Sequence, residues 1–154
     1  MSFTGWVARN VLLREANGKS PGDLIPTLEA SGDVVIERLS VAPDTVGNRE
    51  IACHVIGLER WGDRRLRIAL GEPPVSDEYD VYRPAADLDM ARLAGLFAKT
   101  RAETVALGSR AANFPDSVTA PHNDYGDLTV PQWLVCLKVH ADRETKELAS
   151  GKAA

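Results

Sequence analysis

The chain of 154 residues has little with which to build covalent staples: two cysteines, beside two methionines and three histidines. Cys53 and Cys136 both lie in apolar segments of helical period, which argues against a disulfide-stapled secreted scaffold and for a reducing, cytoplasmic setting. No charged-then-apolar leader with a small-residue cleavage site opens the sequence, which supports the same expectation. Long apolar runs are also missing. The longest, Leu134 to Val139, is broken by Lys138 and falls far short of the roughly 20 residues a membrane span needs, so no membrane partner is expected. There is no excess of positive charge. With a formal net charge of -4 the chain lacks the overall footprint that grips phosphate backbones, so nucleic acid is not an expected partner. Gly-rich phosphate loops, nucleophile elbows and zinc-knuckle spacings are absent as well.

What remains has ordinary globular proportions, 44% hydrophobic and 26% charged, enough for one core and not for two. A single domain over residues 1–154 is expected, with 1–18 as an accessory N-terminal helix. Hydrophobic periodicity predicts an all-α fold of five helical stretches without a strand pattern. The first runs from Phe3 to Glu15, with Trp6 and Val11 at helical spacing, and stops at Asn17-Gly18. The second starts with Ser20 as cap and carries the stripe Leu24, Leu28, Val35, Leu39, weakened by Pro26 and Gly32. The third runs from Asn48, read as its cap, to Leu70, with Ile51, Val55, Leu58 and Leu66 inward, and Gly71-Glu72-Pro73-Pro74 ends it. Residues 75–86 read as a loop over one end of the helices. The fourth helix spans Asp87 to Leu107, and 108–126 reads as irregular. The fifth starts at Thr129, which forms a capping box with Gln132, and ends near Gly151.

A basic run, Arg60, Arg64, Arg65 and Arg67, alternates with Glu59 and Asp63, and helical spacing turns it into a solvated, salt-bridged face. Cys53 and Cys136 read as packing residues rather than activated thiolates.

The chemistry-bearing pattern involves histidine. His140 and Glu144 are four apart on the last helix, on the face that also carries Trp133, Leu137 and Leu148, so the pair points inward. An inward Glu calls for a compensating partner, and His54, beside the apolar stripe of the third helix, is the natural one. Side chains from facing helices are how bundles build metal sites. Two imidazoles and a carboxylate would hold one divalent ion and leave positions open, as a catalytic site requires. The competing reading is an ordinary i,i+4 polar pair on a solvated face and a hydrogen-bonded His54. His122, in a loop beside Asn123 and Asp124, reads as a loop-ordering or site-rim residue. Trp61, two turns from His54 on the same face, and Arg65, one turn further, are candidates to line a substrate cavity and meet an anionic substrate. Core packing and a solvated face are their ordinary alternatives.

From about Leu24 onward the chain resembles the DinB-like proteins. The stretch from Asn48 through His54 to Trp61 looks like their second core helix. His122-Asn123-Asp124-Tyr125-Gly126-Asp127-Leu128-Thr129-Val130-Pro131-Gln132-Trp133-Leu134, followed by His140, looks like their last loop and helix. The resemblance implies a four-helix bundle with an extra N-terminal helix, and a divalent metal (Zn, Ni, Fe or Mn) held by His54 and His140. Glu144 stands where the family has a second histidine on that helix, and the resemblance keeps His122 in the loop, away from the metal. It further implies a metal-dependent thiol S-transferase or hydrolase acting on a small molecule, possessing a low-molecular-weight thiol as a second cofactor in the transferase case, and a homodimer. The alternative from another class is a non-catalytic, stress-associated bundle protein that dimerises or binds a ligand. A third, suggested by the two-histidine-one-carboxylate set alone, is a non-haem iron oxygenase.

Overall fold

Five α-helices and one short β-hairpin make up the fold in the computed structural model, which describes residues 3–115 and 117–148, with side chains from Arg9 onward. The helices are α1 (Phe3–Ala16), α2 (Pro21–Val41), α3 (Val46–Ala69), α4 (Met90–Arg110) and α5 (Val130–Glu144). Helix α2 packs on α4 and α5, and α3 packs on the same two from the opposite side, so α2 to α5 surround a shared interior, whose apolar residues fall in two clusters toward opposite ends rather than in the one core expected. Helix α1 lies on α5 and buries Leu12 and Ala16 against it, with Val11 on its exposed side. The Trp6 side chain lies outside the described residues. No described helix is long and apolar enough to cross a membrane.

The helix starts follow their cap chemistry. The Ser20 and Thr129 hydroxyls each accept an N–H three residues on, and Asp23 and Gln132 reach back to the cap N–H, two complete capping boxes. Helix α2 continues through Pro26 and Gly32 and buries its whole predicted stripe, because core packing outweighs the local propensity cost. Helix α3 starts three residues earlier than expected. Thr45 is the cap, accepting from the Asn48 N–H at 3.2 Å, and the buried Asn48 amide donates to Pro43 O at 2.8 Å. Asp89 caps α4. Helix α5 ends at Glu144 and tightens into a 3-10 turn over Thr145–Glu147, well before the expected end at Gly151, which lies outside the described residues. At that point the buried Thr145 hydroxyl donates back to Ala141 O and accepts from Arg38, so the last turn is held by side chains from α2.

The segment expected to be irregular contains an antiparallel hairpin, β1 (Thr119–His122) paired with β2 (Gly126–Thr129), in register Thr119↔Thr129 to His122↔Gly126. Four-residue strands containing Pro121, Gly126 and Asp127 carry no β-propensity signal. The pairing is held from outside: Trp133 Nε1 donates to Ala120 O at 3.0 Å and Arg65 Nε to Pro121 O at 3.1 Å.

The expected solvated face of α3 is corrected by burial. Arg64 and Arg67 do lie at the surface, paired with Glu72 and Glu103, but Glu59 (1% exposed), Asp63 (5%) and Arg65 (1%) are inside. Burial is tolerated because each has a partner from another element. Arg101 of α4 grips Glu59 with both arms of its fork (Nε–Oε1 2.6 Å, Nη2–Oε2 3.0 Å) and donates Nη1–H to Leu28 O of α2 at 3.0 Å. Helix α2 makes room with Gly32, where a Cβ would stand 2.8 Å from Arg101 Cγ.

The Thr104 hydroxyl, 2.8 Å from Glu59 Oε1 and 2.7 Å from Asp63 Oδ1, has one proton to donate. A proton on Asp63, donated to Thr104 Oγ1, satisfies both contacts. Burial, then the neighbouring Glu59, pushes the Asp63 carboxyl up to about 8. Unfolded, Asp63 loses its proton near 4; folded, it keeps it to about 8. At this group the unfolded state therefore holds fewer protons in that window, and the contribution of Asp63 to stability falls as pH rises from about 4 to 8 and levels off above. Urea unfolding of the parent is expected to lose on the order of 1 kcal/mol between pH 7 and pH 8, above the range in which the buried histidines take up protons on unfolding. Asp63→Asn, whose amide keeps a donor toward Thr104, is expected to flatten most of that slope; parallel profiles would show that Asp63 is not its source.

Candidate functional site

Helices α3 and α5 run antiparallel along a matched seam. His54 of α3 meets His140 of α5, and seven residues further along α3 Trp61 meets Trp133, seven residues earlier in α5, with ring centroids 5.3 Å apart. Next to Trp61 the helices come close at Gly62, where a Cβ would lie 2.4 Å from Cδ2 of Leu137, which stands between the two layers on α5. A side chain there would have to displace Leu137 from the seam.

Within that layer His54 Nε2 and His140 Nε2 are 3.1 Å apart, with ring centroids at 4.9 Å. Two nitrogens bound to one ion at about 2.0–2.1 Å would be separated by roughly 2.9–3.4 Å for bond angles of about 90–110°, so the pair as it stands has ligand spacing. Both imidazoles are also neutral, the charge state in which a ring nitrogen can ligate. Desolvation lowers the His54 pKa, against the pull of Glu144. For His140, desolvation first and then His54, Arg143 and His122 push the pKa down to about 3. Neutral rings with an available lone pair follow at pH 7.

The third expected ligand is less advanced. Glu144 lies one turn beyond His140, close enough to raise the His54 pKa, but among the described residues no three His, Cys, Asp or Glu side chains stand together as a ligand set. The donor chemistry and the nitrogen spacing fit a divalent ion; completing the set needs the Glu144 carboxylate to rotate in.

Two residues that sequence reasoning did not single out border the pair. Tyr79 packs edge-on against His54 at 5.1 Å. Arg83 brings Nη2 to 3.3 Å from His54 Nδ1, with its guanidinium 5.9 Å from the Tyr79 ring and paired with Glu50 and Asp80. Both belong to the aperiodic segment 75–86, whose sequence carries no signal for which helix it covers.

Asp77 anchors that segment. Its carboxylate accepts from Trp61 Nε1 (3.0 Å), Arg65 Nη2 (2.8 Å) and the Tyr82 hydroxyl (2.6 Å). Burial pushes the Asp77 carboxyl up, and these hydrogen bonds together outweigh it, leaving the pKa below the usual carboxylate value.

The structure brings the three candidate substrate residues together two turns along the seam from the histidine pair, about 10 Å of helix rise. Arg65 stacks on Trp61 with its guanidinium carbon 4.6 Å from the ring centroid, and His122 meets the same ring edge-on at 5.0 Å. All three are buried, and Arg65 Nη1 has no hydrogen-bond partner among the described residues. His122 orders its own turn, with Nδ1 accepting the N–H groups of Asp124 and Tyr125. Desolvation pushes the His122 pKa down to about 4. Cys53 and Cys136 are buried, and desolvation raises both thiols, Cys136 to about 12. Of the rival carboxylates, Glu50 is exposed and pairs with Arg83, Asp142 accepts from Ser31 at 2.8 Å, and Glu147 is exposed.

No family model, no curated protein and no solved structure matches this chain. Its site is therefore read from its own geometry.

Because Asp77 neutralises a buried guanidinium and ties down the segment bearing Tyr79 and Arg83, Asp77→Ala is expected to cost about 2–4 kcal/mol in urea unfolding. A loss below about 0.5 kcal/mol would show that the segment holds without it.

Proposed function

We propose that this chain is a DinB-like four-helix-bundle protein with an added N-terminal helix, which binds one divalent metal ion through His54, His140 and Glu144. The observation that carries the reading is the 3.1 Å approach of the two Nε2 atoms from facing helices. The mutual packing of α2 to α5 around a shared interior, with α1 laid on α5, supports the bundle.

His54 and His140 supply neutral nitrogen donors from the two sides of the α3–α5 seam. Glu144, one turn from His140, is the carboxylate within electrostatic reach of His54 that is free to rotate; Asp80, the other, is paired with Arg83. Tyr79 and the segment around it cover the pair and limit water around it. When bound, a divalent ion (Zn, Ni, Fe or Mn) supplies Lewis acidity toward a water or a low-molecular-weight thiol, the chemistry of a hydrolase or a thiol S-transferase. The reading carries with it a small-molecule substrate, no nucleic-acid or membrane partner, a cytoplasmic setting, and a homodimer.

A second reading, a non-catalytic bundle protein that dimerises or binds a ligand, is favoured by the incomplete ligand set and by a guanidinium beside His54. Elemental analysis after dialysis against Zn(II) separates the two. The metal reading expects close to one ion per chain in the parent, little in His54→Ala and His140→Ala, and weakened retention in Glu144→Ala. A metal-free parent under saturating Zn(II) rejects it and leaves the non-catalytic protein.

A further inference from the structure

We propose that Arg83 is a positioning residue that holds His54 in the tautomer unable to bind metal through Nε2, so that an incoming ion must displace it. The inference rests on the metal reading above and concerns how the site is kept closed without metal.

A guanidinium only donates hydrogen bonds. With Arg83 Nη2 at 3.3 Å, His54 Nδ1 is the acceptor and carries no proton, so in the neutral ring the proton sits on Nε2. That proton is donated to His140 Nε2 at 3.1 Å, which uses the lone pair of His140 as well. One contact from Arg83 therefore occupies both nitrogens that face the ion's position. Binding through Nε2 requires the His54 proton to reside on Nδ1, where it would confront the Arg83 N–H groups. The two arrangements exclude each other, and the charge of Arg83 repels a cation in addition.

The surroundings of Arg83 suit a displaceable group. Its backbone and stem are pinned against α3 at Gly57, where a Cβ would stand 2.8 Å from Arg83 Cγ and 3.3 Å from its Cα and N. Its far end is loosely held: Glu50 is 3.4 Å away, and Asp80 is 3.0 Å from Nε but off the N–H direction, leaving Nε buried without a hydrogen bond. Swinging the guanidinium away from His54 gives up one long contact to a neutral nitrogen and leaves both carboxylates within reach.

The test titrates Zn(II) against a chelating indicator in the parent, Arg83→Met, Arg83→Lys and His54→Ala, with imidazole nitrogen NMR on the metal-free parent. Arg83→Met is expected to bind Zn(II) at least about tenfold more tightly than the parent. Arg83→Lys, which keeps a charge and a donor, should stay within about threefold of the parent, and His54→Ala should not bind. The NMR spectrum should show His54 with bare Nδ1 and protonated Nε2. Unchanged or weaker binding in Arg83→Met, with the parent still binding, overturns the role of Arg83 and spares the metal reading; so does a His54 proton on Nδ1 in the metal-free parent, a result that needs no variant to fold. No binding in any of the four proteins overturns both.

Discussion

The buried grip of Arg101 on Glu59 sets the rotation of α3, and the rest of the molecule depends on that rotation. Glu59 and Asp63, one turn apart, mark the side of α3 that faces α4. His54 and Trp61, two turns apart, mark the side that faces α5. Five residues between Glu59 and His54 turn the helix by about 140° beyond one revolution, so seating the carboxylate against α4 turns the imidazole toward α5. The same guanidinium reaches the backbone of α2 at Leu28, so three helices are oriented by one side chain. A bidentate charged pair suits that task better than apolar contact, because a hydrogen-bonded fork tolerates only a narrow range of angles.

The parts of the fold legible in the sequence are those governed by local chemistry. The Ser20-Asp23 and Thr129-Gln132 capping boxes, the Leu24-Leu28-Val35-Leu39 stripe and the stop after Leu70 depend on residues within a few positions of each other, and each lies where local rules place it. Charge was misleading. Hydropathy assigns Glu59, Asp63 and Arg65 to solvent, while their partners Arg101, Thr104 and Asp77 lie 12 to 42 positions away, and nothing local announces such a pairing. The hairpin was hidden for a related reason: its strands are held by Arg65 and Trp133 from neighbouring helices rather than by their own composition.

The candidate site divides in the same way. His54 and His140 stood out because histidine is scarce and both fall on helices, and their meeting needed only that two helices face each other. Arg83 and Tyr79 reach His54 along a segment without period, pinned by Asp77 to Trp61, Arg65 and Tyr82. The proposed relation to DinB-like proteins rests on sequence stretches that include the two histidines and says nothing of these neighbours. The surroundings of His54 are thus set by tertiary anchoring of a loop, the level at which a single sequence is least informative.

The meeting of Trp61 and Trp133 across the α3–α5 seam has an optical consequence. Two indole rings 5.3 Å apart at a steep angle, each in the core, are placed for their excited states to interact. His122 lies 5.0 Å and 5.1 Å from them and titrates near 4, and an imidazolium quenches indole emission on contact. The seam that carries the histidine pair therefore contains its own fluorophores: a shift between α3 and α5 of an ångström or so registers as a change in near-ultraviolet dichroism and emission, without any label.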